Sequence, residues 1–414
     1  MAVRHSATLA IDERLRAKRA AGEQVLHLGF GEAGLPVLPE IAGVLAESAH
    51  RNAYGPVAGS VEAREAAAGY FTRRDLPTGA DQLLFAPGSK PLLFALLTAL
   101  PGDLVLPRPC WVSYAAQAAL AGKRVLSVPI PAEAGGVPDP DELDRTLTRA
   151  RRDGANPGVL ILTLPDNPTG TVAPAELVRR VCAVADRHGL VIVSDEIYRD
   201  LRHDGGPVRS PARDLPERTV ITGGLSKSLA LGGYRIGFAR VPDGPFGREL
   251  RGELIGVASE IWSSLPGPMQ SVAAYALAEP PEVVARIDAS RRLHRTVVEA
   301  VHAEFVAAGA SCRAPRGGFY LYPDFEPLRA SLGPRTGAEL AEHLLTTAGV
   351  GVLAGTEFGD DPAALRFRVA SSLLYGDSEP ERLAALSAPD PLTLPHLTSS
   401  LTHLHSALTS LTSP

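Results

Sequence analysis

The chain has 414 residues, 45% of them apolar and 21% charged, with a formal net charge of −5. That is an ordinary globular composition with length for two or three domains and a large core. The charge balance and the absence of a basic block argue against nucleic acid as a partner. No segment has membrane-span length, Met1 to Arg14 lacks a signal-type apolar run, and Cys110, Cys182 and Cys312 lie far apart with no metal spacing. A reducing, cytoplasmic setting without a metal site is expected.

Residues 7–21 read as a charged amphipathic helix, and Val25 to Gly29 as a short strand ending at Gly29-Phe30-Gly31. A helix is expected over Pro39 to Ala49, a breaker-rich loop over Tyr54 to Gly59, and a helix over Ser60 to Arg73. From Leu83 the pattern is strand, loop, helix, repeated. Strands are expected at 83–86, 103–106, 124–128, 159–164, 190–194, 219–222 and 235–241; helices are expected after Pro87-Gly88-Ser89, over Val112 to Ala121 and over Pro174 to His188. Val159 to Leu164 is a continuous apolar run, the kind buried on both faces of a parallel sheet. Alternating strands and helices predict an α/β fold, a large domain with a mostly parallel sheet sandwiched by helices.

After about residue 275 the pattern changes. A long helix over Pro281 to Ala308, the segment Gly317 to Tyr322, a helix over Gly337 to Ala348 and a strand over Leu365 to Ala370 read as a smaller α+β domain, joined by the N-terminal segment. The division expected is 1–45 with the small domain, 46–275 large, 276–388 small, and 389–414 a tail. Beyond Asp390 there is no Asp, Glu, Lys or Arg, and Leu397, Leu401, Leu404, Leu408 and Leu411 have heptad-like spacing. Ser and Thr between them are weak helix formers, so a marginal amphipathic helix and disorder both stand open.

The chemistry centres on Gly224 to Gly237, where Lys227 sits among small residues and Arg235 follows eight positions later. Lys18, Lys90, Lys123 and Lys227 are the only lysines in an arginine-rich chain, and arginine cannot form an imine. A pyridoxal 5′-phosphate site needs both an amine for the cofactor aldehyde and a fixed cation for its phosphate. Lys227 suits the Schiff base and Arg235 the phosphate, against the bland readings of a solvated lysine and a surface ion pair. Asp195 follows the strand at 190–194, where α/β sheets bind ligands. It suits the cofactor's pyridine nitrogen, or else a helix N-cap. Tyr198 and Asn167 suit the cofactor's phenolic oxygen; alone they would be a half-buried tyrosine and a turn residue. Gly88-Ser89-Lys90 opens a helix whose free N–H groups suit a phosphate. Trp111 suits stacking on a flat ring, or ordinary packing. Arg366 and Arg368 share one face of their strand, so spacing leaves open which of them grips a substrate carboxylate.

Taken in order, these segments resemble the class I/II aminotransferases, the aspartate-aminotransferase-like branch of fold type I pyridoxal-phosphate enzymes. The resemblance rests on Gly29-Phe30-Gly31-Glu32, Tyr54 to Gly59, Pro87 to Lys90, Trp111 to Tyr114, Asn167 to Gly170, Ser194 to Tyr198, the lysine segment, Gly317 to Tyr320 and Arg368, over residues 7–388. It implies an internal aldimine at Lys227, with Asp195, Asn167 and Tyr198 on the ring. Ser89, the Lys90 backbone, Ser226 and Arg235 would hold the phosphate, Trp111 would stack, Arg368 would take the substrate carboxylate and Gly31 would approach the substrate. Tyr54 would reach the phosphate of a neighbouring subunit, which implies a homodimer with shared active sites. Three departures stand out. Glu32 leads into Ala33-Gly34-Leu35-Pro36 where relatives often continue Pro-Asp-Phe. Gly224 stands where many have a phosphate-binding serine. No arginine occurs from Leu254 to Met269, where dicarboxylate-specific relatives carry one, which disfavours aspartate and glutamate as preferred side chains. The expected activity is amino-group transfer between an α-amino acid and a 2-oxo acid. The alternative is a lyase, cyclase, β/γ-replacement enzyme (aminocyclopropane-carboxylate-synthase-like) or oxidase on the same scaffold. A non-enzymatic effector domain is disfavoured because every catalytic position is filled.

Overall fold

The computed structural model describes residues 7–412. Its strands, in chain order, are β1 (Leu26–His27), β2 (Leu83–Pro87), β3 (Asp103–Arg108), β4 (Val125–Pro129), β5 (Pro157–Thr163), β6 (Val191–Asp195), β7 (Thr219–Gly224), β8 (Ile236–Arg240), β9 (Tyr320–Leu321), β10 (Val350–Gly351), β11 (Leu353–Ala354) and β12 (Phe367–Ala370). The main sheet has seven strands in the order β2-β8-β7-β6-β5-β3-β4. Its β3, β4, β5, β6 and β7 pair in parallel, while β8 runs antiparallel to both β2 and β7.

The apolar run of β5 shows why the sheet needs helices on both sides. Val159 and Ile161 enter one core with Leu92, Leu96, Leu250 and Leu254 from helices Ser89–Ala99 and Pro245–Ile261. Leu160 and Leu162 point the other way, into a core with Leu143, Leu147, Val178 and Val181 from helices Pro140–Arg152 and Ala175–Arg187. The period of two thus divides one strand between two layers. A third core lies under helices Val61–Thr72 and Gly267–Ala278, around Phe71, Phe85 and Phe238.

A second body carries the antiparallel sheet β11-β12-β9 and the parallel pair β1-β10. Its core joins Leu26, Leu28 and Leu35 from the N-terminal segment to Phe305, Phe325, Phe367 and the tail leucines. The architecture is that of fold type I: a large, mostly parallel, helix-covered sheet and a smaller α+β part. Helix Pro281–Ala307 serves both. Val283 and Ile287 belong to the core under Phe238, and Leu293, Val297, Val301 and Phe305 to the second.

Helices Pro140–Arg152, Pro245–Ile261, Gly267–Ala278 and Glu379–Ser387 were not among the elements expected from sequence. The tail, for which disorder stood open, is helical over Pro395–Thr412, and Leu397, Leu404, Leu408 and Leu411 are buried. Burying each leucine contributes about 2 kcal/mol, which outweighs the few tenths that each Ser or Thr costs a helix. The Nε2 atom of His403 also meets the Ala348 carbonyl at 2.7 Å.

Candidate active site

The topology brings the expected residues to one edge of the sheet. Parallel β5, β6 and β7 end together, with Thr163 beside Asp195 and Asp195 beside Thr222. Their carboxyl ends therefore deliver Asn167, Asp195 and Lys227 to one crevice. Because β8 is antiparallel, its start lies at that same edge, with Ile236 opposite Pro87, so Arg235 meets the turn before Ser89. The approach is close: a Cβ on Gly237 would lie 2.2 Å from the Gly88 carbonyl carbon and 2.5 Å from the Ser89 nitrogen.

The crevice is a cavity of about 340 Å³. Gly31, Ser89, Lys90, Trp111, Asn167, Asp195, Tyr198, Ser226, Lys227, Arg235 and Arg368 all line it, together with Glu32, Tyr114, Thr163 and Tyr320. Gly88 is not part of the lining but backs it, since a Cβ there would lie 2.3 Å from an Arg235 guanidinium nitrogen. Tyr54 lies outside the cavity and is 93% exposed.

Lys227 is carried by the short helix Leu225–Ser228. Ala230 (φ 57°) and Arg235 (φ 54°) beyond it take left-handed backbone conformations, which cost a non-glycine residue about 1–2 kcal/mol each. The Lys227 Nζ donates to the Gly31 carbonyl at 2.5 Å. Burial first, and then the charge of Arg368, lower its pKa to about 8, so the neutral, nucleophilic amine is within reach of physiological pH.

Asp195 is 3% exposed. Its Oδ2 accepts from the Tyr114 hydroxyl at 2.8 Å, and that hydroxyl also meets Thr163 Oγ1 at 2.9 Å. Among the described residues, its buried Oδ1 has no partner at full hydrogen-bond geometry. Burial pushes the carboxyl up to about 6, and the Tyr114 hydroxyl, then the Ile197 N–H and the Thr222 hydroxyl close by, hold it down against that rise. A buried carboxylate oxygen with no partner, facing a cavity, suits a protonated ring nitrogen.

Tyr198 Oη stands 2.8 Å from Tyr320 Oη and 3.5 Å from Asn167 Nδ2. Arg368 is 2% exposed and reaches Gly29 O at 2.6 Å and Asn167 Oδ1 at 3.3 Å, and its Nε has no partner among the described residues. Burial lowers its pKa. Its guanidinium lies over the Tyr320 ring, 4.9 Å from the centroid. Arg366, the other arginine of that strand face, is taken up by Asp360 at 2.8 Å and Asp324 at 3.4 Å. Geometry therefore selects Arg368 for the cavity.

At the far end, Arg235 and the Lys90 amine converge on the start of helix Ser89–Ala99, where backbone N–H groups are free. Burial and the nearby Arg235 charge lower the pKa of Lys90. Lys90 Nζ also lies 5.4 Å from the centre of the Trp111 ring. Two cations, a helix start and the Ser89 and Ser226 hydroxyls form a site for a dianion. The residues therefore fit a phosphorylated, planar, nitrogen-containing cofactor from end to end.

Tyr114 and Tyr320 were assigned no role from sequence, although both lie in segments that carry the resemblance. Their partners are 81 and 122 residues away, so no local spacing marks them.

Residues 23–373 match the family model for aminotransferase class I and II. The chain is 32% identical to the probable aspartate/prephenate aminotransferase of Thermus aquaticus, over 85% of this chain and 89% of that protein. It is 32% identical to the aspartate aminotransferase of Geobacillus stearothermophilus, over 91% and 95%. Among solved structures, the Thermus thermophilus aspartate aminotransferase with maleate superposes with a TM-score of 0.83 at 28% identity, covering 98% of this chain and 97% of that one.

Proposed function

This chain belongs to the class I and II aminotransferases, enzymes that move an amino group between an α-amino acid and a 2-oxo acid, and we propose that it does so with pyridoxal 5′-phosphate held in the cavity and joined to Lys227. The observation that carries the reading is the unpartnered Asp195 Oδ1, buried at the floor of a cavity whose other end gathers Arg235 and a helix start. When bound, the cofactor supplies an aldehyde for amine exchange and a ring that delocalises the carbanion charge left at the substrate Cα.

The chain supplies the rest. Asp195 Oδ1 holds the proton of the ring nitrogen, and Tyr114 fixes the orientation of that carboxylate. Tyr198 and Asn167 hydrogen-bond the ring oxygen, and Trp111 covers one ring face. Ser89, the Lys90 amide, Ser226 and Arg235 hold the phosphate, with Gly88 behind them as the turn that lets Arg235 come close. Arg368 takes the substrate α-carboxylate as a bidentate fork in place of its contacts to Gly29 and Asn167, while Gly31 lets the substrate approach. Lys227, once its amine is free and neutral, carries the Cα proton. Exposed Tyr54 is assigned to the phosphate of a second copy of the chain, which makes the working unit a homodimer with shared sites. We divide the chain into 1–45 with the small domain, 46–275 as the large domain and 276–388 as the small domain, with 389–414 added to the small domain because its core takes up the tail leucines. Among the described residues no helix is long and apolar enough to cross a membrane, and we place the protein in the cytoplasm.

The experiment is a half-reaction screen. The cofactor-loaded protein is mixed with single amino acids without any oxo acid. Aspartate, glutamate and aromatic amino acids are its first arms: relatives are named for aspartate and prephenate, whereas no arginine lies between Leu254 and Met269. Stoichiometric conversion of the cofactor to its amine form is expected with the preferred donor. Release of ammonia or a leaving group with the cofactor left as aldehyde would instead assign elimination chemistry. Lys227→Ala is expected to lose the absorbance of the lysine linkage and to lose turnover by roughly a thousandfold; retained turnover would reject the role of Lys227.

A further inference from the structure

Two phenols face each other at the edge of the cavity, and the question is which of them donates. Tyr198 Oη has Tyr320 Oη at 2.8 Å and Asn167 Nδ2 at 3.5 Å. Among the described residues, the other acceptor near Tyr320 Oη is the Gly31 carbonyl, at the longer distance of 3.4 Å. An O–H···O bond is normally about 2.7–2.8 Å long, so the Tyr320 proton belongs on the Tyr198 side. A hydroxyl has one proton and two lone pairs. With Tyr320 donating to Tyr198 Oη, the Tyr198 proton cannot point back at Tyr320 and is left to the cavity side.

The fit is also tight: a Cβ on Gly31 would lie 2.2 Å from the Tyr320 oxygen, so glycine at 31 is what admits this hydroxyl.

We propose that Tyr320 is a positioning residue: its hydroxyl donates to Tyr198 Oη and so directs the Tyr198 proton into the cavity, onto the ring oxygen of the cofactor. The inference rests on the proposed placement of that cofactor. Losing the Tyr320 donor leaves the Tyr198 hydroxyl less polarised and less firmly held, so its bond to the ring oxygen weakens. The ring oxygen is then less well stabilised as an anion, and the neighbouring Lys227 linkage retains its proton to higher pH. The charged groups around Lys227 are Glu32, Asp195, Arg235 and Arg368, and none of them is altered by removing one phenol oxygen.

The test titrates the absorbance of the lysine linkage against pH in four loaded proteins: wild type, Tyr320→Phe, Tyr198→Phe and the double variant. Phenylalanine keeps the ring under Arg368 and removes only the hydroxyl. Tyr320→Phe is expected to raise the linkage pKa by roughly half a unit, a threefold change in its ionisation constant. Tyr198→Phe is expected to raise it further, and the double variant to match Tyr198→Phe alone, since Tyr320 acts through Tyr198. An unchanged or lowered pKa in Tyr320→Phe, or shifts that add in the double variant, would overturn the proposal. If Tyr320→Phe leaves the pKa in place while Tyr198→Phe moves it, only the role of Tyr320 fails. If Lys227→Ala keeps the linkage band, the cofactor placement fails as well.

Discussion

Asp195 gives one carboxylate oxygen to Tyr114 and leaves the other, among the described residues, with no partner at full hydrogen-bond geometry. That asymmetry sets a pH dependence. In the folded chain burial raises its pKa to about 6 from a reference of 3.8. Between those values the folded state binds more protons than the unfolded one, so this group's contribution to the stability of the cofactor-free protein falls as pH rises through that window. A cationic ring nitrogen restores what the bare carboxylate loses. Cofactor affinity is therefore expected to weaken as pH falls below about 6, by roughly tenfold for each pH unit well below that point. A fluorescence titration from pH 5 to 8 checks this, and a flat dissociation constant in the wild type would refute it. Asp195→Asn is expected to bind weakly throughout and without the slope. Asp195 itself was legible in the sequence because it ends a buried apolar strand. Its partner Tyr114 was not, since a tyrosine in a helix 81 residues away announces nothing about a carboxylate until the sheet sets β3 beside β5 and β5 beside β6.

Elements were legible where one period dominated. The run Val159 to Leu164 and the turn-bounded strands around it carried enough pattern to place the sheet. Helix Pro140–Arg152 escaped notice although Asp139 caps its first N–H groups and Leu143, Leu147 and Ala150 share its buried face, because arginines and carboxylates fill the rest. Between Val241 and Met269, Gly and Pro interrupt the apolar pattern, and helices Pro245–Ile261 and Gly267–Ala278 form around them, each with proline in its first turn where it is tolerated. The tail shows the opposite case. Its propensity is poor, its leucine spacing is good, and only the core it meets decides the outcome. Leu408→Ala is expected to cost about 3 kcal/mol. A urea denaturation series checks this, and an unchanged midpoint would mean that the helix adds nothing to the fold.

At the scale of the molecule, the cavity lies where the N-terminal segment, the main sheet and the second body meet. Gly31 comes from the first, Asp195 and Lys227 from the second, and Tyr320 and Arg368 from the third. Sequence order made this assembly readable as a set of separate motifs, but not the contacts between them, such as Lys227 to Gly31 or Arg368 to Asn167, which span 196 and 201 residues. Tyr54 falls outside that assembly, and sedimentation is the check on its assigned role. A dimer is expected, and a fully active monomer would reject shared sites. Helix Pro281–Ala307 has its own consequence. It is a continuous rod about 40 Å long, rooted at Val283 and Ile287 in one core and at Val297 and Phe305 in the other. Melting either core frays half of that rod and strips the apolar face on which the other depends. Heating should therefore give one calorimetric peak whose van't Hoff and measured enthalpies agree: the two bodies share a single melting event, whatever freedom they have to rock against each other while folded.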